Sequence, residues 1–204
     1  MRRAIWLSLL LAAPVTLNAQ ATGAVIGGLS VSKWAEHLSD VTTSVDTKLG
    51  FAVGLELVTP LRHDLAFMPE FLYVQKGASD QDGGTSVTVR LSYLEVPLLF
   101  RLNAGHGKTR PFFFAGPFLA AKIGCSISAS NSLGESGSAD CQDNPDFSIK
   151  STDFGISFGA GIQGRGIAFS ARYDYGMANL AVEAPAGQSV NNRSFLFLAH
   201  VTVK

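Results

Sequence analysis

Short runs of alternating apolar and polar residues recur along the chain, bounded by clusters of Gly, Pro, Asn and Asp. A period of two marks a β-strand whose two faces meet different surroundings. Over 193–204, Phe195, Phe197, Ala199, Val201 and Val203 share one face. Ser194, His200, Thr202 and Lys204 share the other with Leu196 and Leu198. Over 167–177, Ile167, Phe169, Ala171, Tyr173, Tyr175 and Met177 oppose Ala168, Ser170, Arg172, Asp174 and Gly176. Over 152–163, Phe154, Ile156, Phe158, Ala160 and Ile162 oppose Asp153, Ser157, Gln163 and three glycines. Over 49–59, Phe51, Val53, Leu55 and Leu57 oppose Gly50, Ala52, Gly54 and Glu56. Further runs at 23–33, 64–76, 86–103 and 110–124 bring the expected count to eight strands.

The connections sort by length. Those over 34–48, 77–84, 125–151 and 178–192 are long and polar, whereas 60–63, 105–108 and 164–166 are tight turns. Long and short alternate, so in an up-and-down barrel all the long loops fall on one rim. Outer-membrane barrels have this asymmetry, with short periplasmic turns, long extracellular loops and an even strand count. The pattern predicts an all-β fold, an eight-stranded antiparallel up-and-down transmembrane β-barrel over 20–204. Two strands phase poorly. In 86–103 the apolar parity changes near Ser92-Tyr93, which points to a β-bulge or to an upper half above the membrane. The triplet Phe112-Phe113-Phe114 leaves the fifth strand without a phase.

The N-terminus has its own pattern. Arg2 and Arg3 precede an apolar run from Ala4 to Ala13, and small and polar residues follow. This is the layout of a secretory signal peptide, expected over 1–19 with cleavage after Ala19; Ala21 is the other candidate. An uncleaved helical anchor is the alternative, since 4–32 carry no charge. Pro14, Asn18 and Gln20 interrupt that stretch well short of the roughly 18 apolar residues a spanning helix needs.

Composition agrees with the barrel. Hydrophobic residues make up 47% of the chain and the mean hydropathy is +0.22, yet the apolar residues are spread over short segments. The formal net charge is zero and no basic patch stands out, which gives nucleic acid no electrostatic footprint. Cys125 and Cys141 share one Ser/Gly/Asn-rich stretch. In an exported protein such a pair reads as a disulfide. A metal site is the alternative, without a CxxC spacing or a nearby His to favour it. No metal or other cofactor is expected.

Candidate chemistry lies on the inward parity: Glu56, Glu70, Lys76, Glu95, Arg101, Lys122, Arg172, Asp174 and His200. Eight strands leave an interior that side chains fill, and buried charges must be paired. A luminal charge network is therefore expected, with a narrow proton or ion path as the sharper alternative. An enzyme would need a nucleophile beside one of His37, His63, His106 or His200. No G-x-S-x-G motif is present, and Gly159 to Gly164 matches GxGxxG only inside a strand. A non-enzymatic role follows, structural or in surface interaction, for a monomer embedded in outer-membrane lipid. The long loops are its surface for partners. The alternatives are a soluble periplasmic barrel that binds an apolar ligand, with Phe and Ile inward, and a barrel enzyme acting on lipids.

Several segments resemble one family. They are Met68-Pro69-Glu70-Phe71-Leu72-Tyr73-Val74-Gln75-Lys76-Gly77, Ser92-Tyr93-Leu94-Glu95-Val96-Pro97-Leu98-Leu99-Phe100 and Arg110-Pro111-Phe112-Phe113-Phe114-Ala115-Gly116-Pro117. Phe154-Gly155-Ile156-Ser157-Phe158-Gly159-Ala160-Gly161 and Ala171-Arg172-Tyr173-Asp174-Tyr175-Gly176-Met177-Ala178-Asn179-Leu180 complete the set. Together they resemble the PorT-like outer-membrane β-barrel domain family over nearly the whole mature chain. The resemblance implies an eight-stranded outer-membrane barrel and assigns no catalytic residues. The member that names the family is linked to secretion, a role these residues do not carry over. The C-terminus, Val201-Thr202-Val203-Lys204, departs from the aromatic ending common among outer-membrane proteins.

Overall fold

The computed structural model describes residues 21–38, 41–44, 46–82, 85–105, 107–131, 136–141, 150–180 and 188–203. The expected signal peptide and His106 lie outside the described residues. Ten strands form one antiparallel sheet: β1 (Thr22–Leu38), β2 (Val41–Ser44), β3 (Asp46–Pro60), β4 (Leu65–Asp82), β5 (Thr85–Asn103), β6 (Arg110–Asn131), β7 (Ser136–Asp140), β8 (Thr152–Gln163), β9 (Ile167–Gly176) and β10 (Gln188–Val203). Eight of them follow one another round a ring, β1-β3-β4-β5-β6-β8-β9-β10, which the β10–β1 pairing closes. That closure runs unbroken from Gly23↔Val203 to Leu38↔Gln188, so the wall has no free edge. The protein is an eight-stranded up-and-down β-barrel.

Apolar side chains face outward along the alternating positions, among them Leu29, Leu55, Phe100, Phe158, Phe169 and Phe197, all exposed. Charged groups face inward and are buried, Arg172 and Glu95 almost completely. A soluble ligand-binding barrel would show the opposite distribution. An apolar outer band around a polar interior is the pattern of a wall surrounded by lipid.

The strands are longer than the apolar alternation indicates. The expected loop 34–48 is largely strand: β1 continues to Leu38, and β2 pairs back on it from Ala35↔Ser44 to Leu38↔Val41. In the expected loop 77–84, residues 77–82 are also strand, paired from Gly77↔Arg90 to Asp82↔Thr85. Alternation of polarity records the difference between lipid and lumen. The hydrogen-bonded ladder therefore continues beyond the point where the polarity signal ends. β6 likewise extends to Asn131, and β7 folds back onto it from Ser126↔Asp140 to Ser130↔Ser136. The Cys125–Cys141 disulfide joins the next pair in that register, with Cα atoms 5.4 Å apart. The opposite rim has tight turns, and Gly105 and Gly166 there both hold φ +76°, a left-handed conformation that glycine adopts without a Cβ clash.

The two strands left unphased by sequence resolve differently. In β6, Phe112, Phe114 and Phe118 point inward and Phe113 outward, with exposures of 1% for Phe112 and 55% for Phe113. Their partners across the ladder are glycines: Phe112↔Gly161, Phe114↔Gly159 and Phe118↔Gly155. A Cβ on Gly159 would lie 2.6 Å from Phe114 Cζ, and one on Gly155 would lie 2.8 Å from Phe118 Cε1. The inward glycines of β8 therefore make room for rings that lean over from β6. β5 keeps a single parity, with Val89, Leu91, Tyr93, Glu95, Leu99 and Arg101 all buried. Its upper half merely exchanges polarity, apolar inside and Arg90 outside. The register does shift at Ser92/Tyr93, where Ser92 pairs Gly124 and Tyr93 pairs Lys122; the extra residue, Ile123, belongs to β6.

Candidate functional site: two groups of charge inside the barrel

Strand parity brings the inward charges together from five different strands. In the upper group Arg172 of β9 is the hub. Its Nη1 meets Glu70 Oε2 at 2.6 Å, its Nη2 meets Glu95 Oε1 at 2.8 Å, and its Nε lies 3.0 Å from Asp174 Oδ1. Lys76 Nζ adds contacts of 2.5 Å to Glu95 Oε2 and 3.5 Å to Asp174 Oδ2. It also lies 4.8 Å from the centroid of the Phe118 ring, which favours a cation over its face. Every member of this group has a side-chain exposure of 1% or less.

Neutral donors complete the set. Ser157 Oγ donates to Asp174 Oδ1 at 2.7 Å, and Asn192 Nδ2 donates to Asp153 Oδ2 at 2.8 Å. Ionised groups this deeply buried persist only when the attraction between them, together with hydrogen bonds, offsets the loss of hydration. Charge-assisted hydrogen bonds and the planar fork of arginine suit that task. The cluster sits among buried apolar layers, with Leu91, Tyr93 and Phe118 in one and Leu72, Val74 and Leu196 in another.

The lower group is built differently. Glu56 and Glu70 are direct partners across β3 and β4. Glu70 turns to Arg172, whereas Glu56 accepts from His200 Nδ1 at 3.0 Å. With that proton on Nδ1, His200 Nε2 accepts from Ser170 Oγ at 2.8 Å. Arg101 donates its Nε to Asn103 Oδ1 at 2.9 Å and its Nη2 to Gln163 Oε1. Its guanidinium carbon lies 3.8 Å from the Phe112 ring centroid. Below these residues a cavity of about 260 Å³ reaches the short-turn rim, lined by Glu56, Arg101 and His200 and, nearer the opening, by Arg62, His63 and Arg110.

Ser170, His200 and Glu56 thus stand at the spacings of a nucleophile, a base and an orienting acid. The Ser170 hydroxyl is buried and does not line the cavity. Lys122 stands apart from both groups, half-buried toward the upper rim, with Asp140 as its charged neighbour. Parity reading did not single out Tyr93, Asp153, Ser157, Ser170 or Asn192. Ser170 carries a usable signal, because it shares its strand face with Arg172 and Asp174; Ser157 shares the inward face of β8 with Asp153.

A chain of this architecture can be set beside known proteins. The profile of the family described as outer membrane protein beta-barrel domain matches residues 17–182. The chain belongs to that family. Its place is accordingly the bacterial outer membrane. No curated protein matches the chain. Among solved structures it is similar to the attachment invasion locus protein Ail of Yersinia pestis, at 13% identity over 90% of this chain and 99% of that one, with a TM-score of 0.45. The same protein in complex with the heparin analogue sucrose octasulfate gives 0.44 over the same shares at the same identity. The Neisserial surface protein A is similar at 13% identity over 89% of this chain and 97% of that one, with a TM-score of 0.48. Likeness at this level says nothing of function.

Proposed function

We propose that this member of the outer-membrane β-barrel domain family is a closed, non-conducting barrel. In this reading the Arg172 cluster plugs the lumen and the strand extensions above the membrane serve surface interaction. The observation that carries it is the placement of Arg172, whose three nitrogens reach carboxylates on β4, β5 and β9. Strands from separate parts of the wall are thereby tied through the barrel axis. Buried aromatic and aliphatic residues packed around the cluster support a filled lumen. A wide pore would instead line its lumen with solvated charges.

The strand pairs β1–β2 and β4–β5 and the disulfide-linked pair β6–β7 extend on the long-loop rim, where a surface partner would meet them. The motifs quoted above favour a PorT-like branch within the family and carry no catalytic role with them. The reading is of a monomer without a cofactor. Planar-bilayer recordings test it. The purified protein is expected to give no stepwise conductance, whereas loss of both Arg172 and Lys76 is expected to create a leak. Discrete steps from the unaltered protein would overturn the plug.

A further inference from the structure

The cavity below Arg101 has features that a plug does not require. Its lining carries three guanidinium groups, Arg62, Arg101 and Arg110, against one carboxylate, Glu56, which His200 already engages. Arg101 stands within reach of both Glu56, whose charge attracts it, and Arg110, whose charge repels it. Arg101 is also held in place: buried, over the Phe112 ring, with Nε and Nη2 engaged by Asn103 and Gln163. Among the described residues its Nη1 has no hydrogen-bond partner. An arginine fixed by neutral acceptors keeps its full charge for something else, and a preorganised guanidinium loses less freedom when it binds an oxyanion. Arg62 and Arg110 are exposed at the mouth, where they draw anions inward.

We propose that this cavity is a phosphate-binding site, in which Arg101 and Arg110 hold the phosphate group of a small molecule or of a lipid headgroup. Outer-membrane barrels turn their short-turn rim toward the periplasm. At that rim a phosphate group can come from two sources: a soluble periplasmic phosphate, or an inner-leaflet phospholipid whose headgroup bends into the mouth. The Asn103 and Gln163 side chains beside Arg101 add polar atoms for the remaining oxygens. Val58, Ala66 and Ala168 line the same space and suit the carbon portion of a phosphate ester.

The test uses the full-length protein purified from membranes in a zwitterionic detergent. Isothermal titration with inorganic phosphate and with glycerol 3-phosphate forms one arm. The other arm follows the Arg101 Nε–H resonance in bicelles with and without phosphatidylglycerol. Saturable binding is expected, weakened about tenfold or more in Arg101→Gln and less in Arg110→Gln. Arg165→Gln, an exposed cation in the β8–β9 turn that is absent from the cavity lining, is the control and is expected to bind as the unaltered protein does. Heat-modifiable gel mobility establishes that each variant is folded. Saturation by the free anions identifies a soluble ligand, and a phosphatidylglycerol-dependent Arg101 shift alone identifies a headgroup; both support the site. Absence of saturation in both arms overturns it. So does unchanged binding in folded Arg101→Gln, or an equal loss in Arg165→Gln.

Discussion

Two regions of the same lumen use the same residue types to opposite ends. Around Arg172, cations and carboxylates touch one another, and each charge is satisfied by a charge on another strand. Around Arg101, the cation is held by neutral amides and an aromatic face, and Glu56, the carboxylate on the cavity lining, is paired with a histidine. The upper group is fully buried among apolar side chains, whereas the lower one opens on a cavity. The difference shows that an inward charge in a narrow barrel is not by itself a structural plug. What matters is whether its partner is ionic and buried, or neutral and next to accessible space.

The largest expected effect comes from breaking the upper group. Arg172→Met leaves Glu70, Glu95 and Asp174 facing one another in a buried interior with Lys76 beside them. Removing one partner of a buried ion network typically costs about 3–5 kcal/mol. Urea unfolding of the refolded barrel in detergent is expected to show a loss of that size. Adding Glu70→Gln and Glu95→Gln to Arg172→Met is expected to restore a good part of it, since the stranded charges are then gone. If Arg172→Met were neutral, the cluster would not be what ties the wall together.

The same substitution in the lower group sharpens the contrast. Arg101→Met removes hydrogen bonds to neutral acceptors and a ring contact, and it strands no carboxylate that lacks another partner. The expected loss is about 1–2 kcal/mol, measured by the same unfolding experiment. A loss as large as that of Arg172→Met would mean that Glu56 depends on Arg101 more than on His200. The two regions would then be one network.

How much of this could be read from sequence depends on which physical signal each feature leaves. The ring of eight strands was legible because lipid on one side and lumen on the other impose period two, and because the turns sort by length. β8 ends where the alternation ends, at Gln163. β1 and β4 run past theirs, because a backbone ladder can continue where the side chains no longer alternate in polarity. The phase of Phe112-Phe113-Phe114 was hidden because all three are apolar. It is fixed by the glycines of β8, and those can be matched only once the β6–β8 register is known. The charged members of the two groups follow from parity, Asp153 excepted. Their grouping does not, because partnership inside a barrel is a matter of stagger: Glu70 and Arg172 meet across the lumen, although their strands never pair. Lys122 has the inward parity and still belongs to neither group, because it sits too near the upper rim.

Ser170→Ala carries the smallest expected effect and asks the finest question of the lower region. His200 and Ser170 are offset by one inward position: Ser170 pairs Leu198, and His200 pairs Ala168. The 2.8 Å contact is therefore diagonal, and sequence pairing could not have found it. A hydrolase with these spacings would lose ester cleavage on Ser170→Ala and keep its stability. A relay that only orients His200 toward Glu56 would lose about 1 kcal/mol, the net worth of one hydrogen bond, and would have no esterase activity to lose. The Ser170 hydroxyl is absent from the cavity lining, so an acyl group in the cavity has no direct line to it, and the relay outcome is expected. Assay of a p-nitrophenyl ester beside urea unfolding separates the two. Serine-dependent cleavage by the unaltered protein would make the lower region an active site, and the contrast between the two halves of the lumen would become one between structure and catalysis.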